Sequence, residues 1–330
     1  MGESVSKMSE LLGNLARPSF IFVPEQIKLQ GLQSPAPIGT EARLLLAPAS
    51  TSEALRAILD PHTKTRHMIH INPWESEKVE VEAGIEMRRI ADPSQHQYWI
   101  VEHWRRMFDN HLEHALEIAD PGLTPVIGLI NPHPHLSGFV DAHAILNWLD
   151  ENMIADTREI GAREVASIER TWKQLVAFGA NDDPCYNFIK KAIHDFYGLK
   201  RVSSRMPIYV VGLFAIIEML LTTRQDKTTE HSLSHQLKEK LTLFGHRFTD
   251  PIALKDFLPK TQQLELRTVV SRLYSYRSKV AHGSEIDFSR GEMEVLQSHK
   301  IVCQFLRVLV RKLILQAVHE PDLFRDLKSC

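Results

Sequence analysis

The run Ile208–Leu221, IYVVGLFAIIEMLL, is the longest apolar stretch of the chain and carries one charge, Glu218. Its 14 residues fall short of the ~20 that a helix needs to cross a bilayer. A helix that is apolar on every side must be wrapped by other elements on every side. The run therefore predicts a buried helix, with Pro207 placed where proline is tolerated.

The segments around it fit that demand. Asp183-Pro184 reads as a helix start, with the aspartate as cap, and FIKKAIHDFYG follows as a helix closed by Gly198. Leu233, Leu237, Leu241 and Phe244 recur at steps of four, four and three, as on one helix face. Residues 262–282 and 292–318 read as two further helices. Residues 157–160 are expected to open another helix, running through EVASIERTWKQLVAFG.

The first part reads differently. SFIFVP, EARLLLAPA, HMIHI and VEVEAGIEM have the length and bounding residues of strands, and SEALRAILD has helical spacing. From Tyr98, YWIVEHWRRMFDNHLEHALEIAD predicts one long amphipathic helix. PGLTPVIGLINPHPHLSGF is too rich in proline and glycine to be a single helix, and residues 141–153 read as a short one. The expected fold class is mainly α: an N-terminal mixed α/β module over 1–155, acting as accessory or sensor, a helical linker over 156–184 and a helical domain over 185–330.

Composition narrows the function. The 330 residues are 43% hydrophobic, enough for real cores, and the net charge of -2 gives no global field toward nucleic acid, so any such contact needs a local patch or a dimer groove. Cys185, Cys303 and Cys330 are scattered and form no CxxC pair, and the first residues lack the apolar core of a secretory signal. These features predict a cytoplasmic protein that does not enter a membrane. No P-loop, GxGxxG, GxSxG or zinc-finger spacing occurs. His111 and His114 with Glu117 could share a helix face, and His133 and His135 flank a proline. Neither set matches an established metal spacing such as HExxH, so no metal and no cofactor are expected.

The sharpest local feature is Leu273-Tyr274-Ser275-Tyr276-Arg277-Ser278-Lys279-Val280-Ala281-His282-Gly283. On a regular helix Arg277 and His282 project ~140° apart. With His282 at the helix end and Gly283 as the residue beyond the cap, the last turn can open and turn both groups toward one pocket. Tyr274 and Tyr276 either stack on bases or pack on a neighbouring helix. Lys279 and Arg272 either bind phosphate or belong to a solvated face. Glu218 either pairs with Arg277 or faces solvent at a groove.

This block, with the glutamate-bearing apolar helix and the SLSHQLKEKLTLF segment upstream, resembles the Apea-like group of HEPN domains over roughly residues 185–320. Ser278 stands where many HEPN domains carry Asn or Asp; serine is common in the Apea-like group. The resemblance implies a four- or five-helix bundle that dimerises, so that the Arg–His pairs of two copies line one cleft. It implies metal-independent cleavage of RNA, with Arg277 and His282 catalytic, Glu218, Ser278, Tyr274 and Tyr276 supporting, and Lys279 and Arg272 binding RNA. It also implies a role as effector in anti-phage defence by abortive infection. DNA lacks the attacking 2′-hydroxyl and is not an expected substrate. A second reading of the same bundle is a non-catalytic scaffold that binds RNA or protein and dimerises.

Overall fold

The computed structural model describes residues 19–67, 72–82, 84–104, 110–120, 122–130, 137–152, 157–223, 233–248, 250–258 and 265–329. The chain is mainly helical and splits into two compact units, Met1–Lys173 and Gln174–Cys330. Strands among the described residues belong to the first unit only.

In the first unit a six-stranded antiparallel sheet runs in the order β3-β4-β7-β1-β8-β9, from Ala36–Ile38 (β3), Ala42–Leu46 (β4), Trp99–His103 (β7), Ser19–Val23 (β1), Ile127–Ile130 (β8) and Ser137–Val140 (β9). Phe20 and Phe22 of β1 and Ile100 of β7 join one core cluster with Leu55 and Leu59 of helix α1 (Ala49–His67) and Ile145, Trp148 and Leu149 of α3 (Ala142–Asn152). Residues of the other parity, Ile21, Val23, Trp99 and Val101, are also buried, so both faces of the central strands are covered. Beside this sheet, Ile27–Gln30 (β2) pairs in parallel with Arg158–Gly161 (β10), and Ser76–Val81 (β5) pairs with Gly84–Arg89 (β6) as a separate two-stranded ribbon.

Two sequence expectations are corrected here, and a third falls largely outside the described residues. The stretch from Tyr98 is not one helix: β7 occupies Trp99–His103, and a short helix α2 spans His111–Ile118. All five residues of β7 are buried, because it lies between β4 and β1 inside the sheet. A strand buried on both faces shows a continuous apolar run and loses the alternation that would mark it. Residues 157–160 do not open a helix either. Arg158–Gly161 is strand, with Ile160 buried opposite Leu29, and the helix α4 begins at Ala162 and ends at Gly179. In the proposed strand HMIHI, His67 ends α1, and the other four residues lie outside the described ones.

The second unit is built around Ile208–Leu221 (α6). Tyr209, Val210, Leu213, Phe214, Ile216, Ile217, Leu220 and Leu221 are all buried, as an apolar helix requires. It packs against Asn187–Gly198 (α5), Leu233–Arg247 (α7), Leu266–Ala281 (α9), His299–His319 (α10) and Pro321–Ser329 (α11); the short Leu254–Phe257 (α8) packs on α10. Val302, Phe305, Leu306, Leu309, Leu313 and Ile314 give α10 a buried stripe at helical spacing. Phe324 of α11 stacks on Phe244 of α7 at 4.6 Å between centroids. Lys328 Nζ reaches back to the carbonyls of Met219 (2.6 Å) and Thr222 (3.1 Å), satisfying acceptors left open where α6 ends. No helix among the described residues is long and apolar enough to cross a membrane.

Candidate functional site

Helix α9 presents the RSKVAHG block, and its end is shaped by the sequence. His282 is the C-cap residue and Gly283 follows with φ +65°, a conformation that suits glycine. The Gly283 amide donates to the Val280 carbonyl (3.2 Å) and the Ser284 amide to the Lys279 carbonyl (2.9 Å). These two bonds are the Schellman pattern. The His282 amide donates to the Ser278 carbonyl at 3.1 Å, so Ser278 contributes backbone to the end of the helix. The imidazole of His282 is left exposed beyond the last turn.

One turn back, Arg277 lies half-buried between α9 and α6. Its Nη2 sits 3.2 Å from Glu218 Oε1 and donates to Oε2 at 3.3 Å. Only the Oε2 contact has hydrogen-bond geometry; Oε1 is nearer but poorly aligned and accepts no hydrogen bond. The contact is therefore one nitrogen laid across two oxygens, weaker and less specific than a two-pronged fork. Arg277 Nε is buried and makes no hydrogen bond. Burial pushes the Glu218 carboxyl above its ordinary value, and the Arg277 charge only partly offsets this. On its other side the guanidinium lies 6.0 Å from the Tyr274 ring centroid, and Phe214 meets that ring edge-on at 6.3 Å. Of the two alternatives for Glu218, the geometry selects pairing with Arg277. Arg277, Glu218 and Tyr274 thus meet in one place, whereas among the described residues no hydrogen bond or ion pair joins His282 to Arg277.

No family model, curated protein or solved structure matches this chain.

Tyr276 has turned inward. It is 2% exposed, and its hydroxyl lies 2.6 Å from Nδ1 of His299, whose Nε2 lies 2.7 Å from the Ser204 carbonyl. A carbonyl only accepts, so Nε2 carries the proton it donates, and Nδ1 accepts the phenol proton. Cys303 Sγ donates to the same carbonyl at 3.4 Å. This buried network ties α9 to α10 and to the turn before α6. Sequence reading missed it, because its members lie on three separate segments. Burial, and then Cys303, push the Tyr276 hydroxyl up to about 12. The unfolded phenol ionises near 10.0, so folding favours the neutral form. That contribution is intact below pH 10 and is lost as pH climbs from about 10 to about 12. Tyr276→Phe should therefore cost ~1–2 kcal/mol at neutral pH by stranding His299 Nδ1. It should also flatten the alkaline loss of stability relative to the unaltered chain; urea midpoints at pH 7 and pH 11 check both.

The remaining residues separate plainly. Arg272 pairs with Glu292 at 2.6 Å, and Lys279 is exposed on the helix surface. His111 and His114 are half-buried and Glu117 is buried, and among the described residues no group of three or more His, Cys, Asp or Glu is placed to hold a metal ion. His133 and His135 lie outside the described residues.

Proposed function

We propose that the helical unit is an HEPN-type endoribonuclease of the Apea-like group and that the chain is an RNA-cleaving effector of anti-phage defence. The observation that carries this reading is the pairing of Arg277 with Glu218 one turn before an exposed His282 at a glycine-capped helix end. Cleavage of RNA by its own 2′-hydroxyl needs a base for the hydroxyl proton, an acid for the departing 5′-oxygen and positive charge on the phosphorane. Histidine titrates near working pH and suits either proton transfer. An arginine fork matches the phosphorane oxygens, and the Glu218 carboxylate holds one of its nitrogens beside α6. One chain supplies one histidine and one arginine. A homodimer through the helical unit supplies two of each, one histidine as base and the other as acid. The 2′-oxygen attacks phosphorus, the 5′-oxygen leaves with a proton, and the products carry a 2′,3′-cyclic phosphate and a 5′-hydroxyl.

A second reading is the non-catalytic RNA- or protein-binding scaffold, favoured by Arg277 being partly buried and already engaged by Glu218. The deciding experiment is incubation of the purified chain with single-stranded RNA and with DNA of the same sequence, in EDTA, with end-group analysis. Cyclic-phosphate ends on RNA alone are expected. If an activator is needed, lysate from phage-infected cells supplies it, and the Arg277→Ala, His282→Ala chain is the control. Cleavage indifferent to both changes, or abolished by the chelator, sinks the enzymatic reading.

A further inference from the structure

We propose that the β5–β6 ribbon is a self-association arm, and that two copies of the chain pair β6 against β6 to make a four-stranded antiparallel sheet. Among the described residues neither strand pairs with any strand outside the ribbon, and none pairs with the outer edge of β6. Every residue of β6 is exposed or half-buried, and Ile85 keeps 60% of its surface in solvent. An open edge of this kind is a template for another strand, unless its side chains forbid it.

The backbone says which groups point outward. The Ile90 amide donates to the Glu75 carbonyl at 2.8 Å, just below the pair Ser76↔Arg89. In an antiparallel ladder the hydrogen-bonded pairs alternate. Arg88, Glu86 and Gly84 therefore turn their amides and carbonyls toward β5, and Arg89, Met87 and Ile85 turn theirs to the open edge.

The side chains select a register. With a two-fold axis through Met87, Met87 bonds to its own copy, Ile85 bonds to Arg89 of the second copy, and Glu86 falls opposite Arg88 twice over. Those charged pairs occupy the non-hydrogen-bonded positions, where side chains approach most closely. An axis through Glu86 or Arg88 would instead set like charges against each other. A charged edge normally blocks pairing; this one carries opposite charges spaced so that the Met87-centred register satisfies both. The occupant is a second copy of this strand, because the strand is its own complement in charge and in hydrogen bonding.

The test uses the full chain with Cys185→Ser and Cys330→Ser, and Met87→Cys at the axis. The paired Cα atoms of such a pair lie ~5.5 Å apart, within the range that a disulfide spans. With a mild oxidant, Met87→Cys should give a disulfide-linked dimer. This readout is confined to β6, so association through the helical unit does not contribute to it. Glu86→Arg should lower the yield at fixed concentration about tenfold, by turning both attractive pairs repulsive. Arg88→Glu alone would also face Glu77 inside the ribbon, so the partner variant is Glu77→Arg with Arg88→Glu, which keeps that internal pair. Mixing this variant with Glu86→Arg should restore the cross-link, since each then meets its opposite charge. A cross-link that ignores Glu86→Arg, a mixture that fails to restore it, or no cross-link in the parent would each overturn the proposal.

Discussion

His282→Ala is expected to lower RNA cleavage by at least ~10²-fold, the low end for losing a general acid or base. Arg277→Ala should cost ~10²–10³-fold, comparable to losing one donor at a developing oxyanion. Arg277→Lys should rescue only part of this, because an ammonium lacks the planar fork. The two positions differ in their structural consequences. His282 is exposed and its side chain enters no hydrogen bond among the described residues, so its removal should leave the melting temperature unchanged. Arg277 is half-buried against a carboxylate that burial has already pushed upward, so Arg277→Ala removes the one group that counters that burial. Some loss of stability should accompany it, greatest at neutral pH and relieved as pH falls and Glu218 takes up a proton. The measurement is cleavage rate by gel at matched concentration of folded protein, beside thermal melts at pH 5 and pH 7. Equal activity of the His282→Ala and parent chains would remove the proposed acid–base chemistry. An unstable but active Arg277→Ala chain would reduce Arg277 to a structural role.

The helical unit was legible because its signals are local. An apolar run predicts a buried helix, and α6 is one; Gly283 after His282 predicts a helix end, and the Schellman bonds form there. Single charges in apolar surroundings are also informative, since each needs a partner, and Glu218 found Arg277. The first unit was legible in part: SFIFVP and EARLLLAPA form β1 and β4, and SEALRAILD lies in α1. In the ribbon, VEVE alternates because it is open to water, whereas Trp99–His103 is buried on both faces and reads as a helix by hydrophobicity alone. The strand at Arg158–Gly161 depends on β2, more than a hundred residues away, and nothing in its own four residues announces that pairing. Tyr276 illustrates the same limit at the candidate site. Its neighbours Arg277 and Tyr274 face α6, while it points to His299, and only the packing distinguishes them.

Trp74→Ala should cost ~3–5 kcal/mol, the largest loss of stability expected from a single change in the first unit. Trp74 is fully buried where three other aromatic side chains converge: Phe22 edge-on at 5.4 Å, Tyr98 at 6.0 Å and Trp148 nearly parallel at 6.2 Å. Its indole nitrogen donates to the Pro24 carbonyl at 2.9 Å. Trp74→Phe should retain much of the packing and lose mainly that bond, for ~1–2 kcal/mol with some cavity cost. The position matters beyond the core, because the next residue anchors the ribbon. Glu75 is buried, accepts from Tyr98 Oη at 2.9 Å and from Arg56 Nε, and its carbonyl receives the Ile90 amide at the root of β5 and β6. Burial, and then Glu75, push the Tyr98 hydroxyl above its ordinary value, so this network also favours the neutral phenol and weakens at strongly alkaline pH. Trp74→Ala should therefore loosen the root of the ribbon and also reduce cross-linking through Met87→Cys, whereas Glu86→Arg, exposed on β6, should reduce cross-linking at unchanged stability. Urea unfolding followed by far-ultraviolet circular dichroism, compared at unchanged denaturant slope, separates the two. A Trp74→Ala chain as stable as its parent would mean that this aromatic cluster does not hold the unit together.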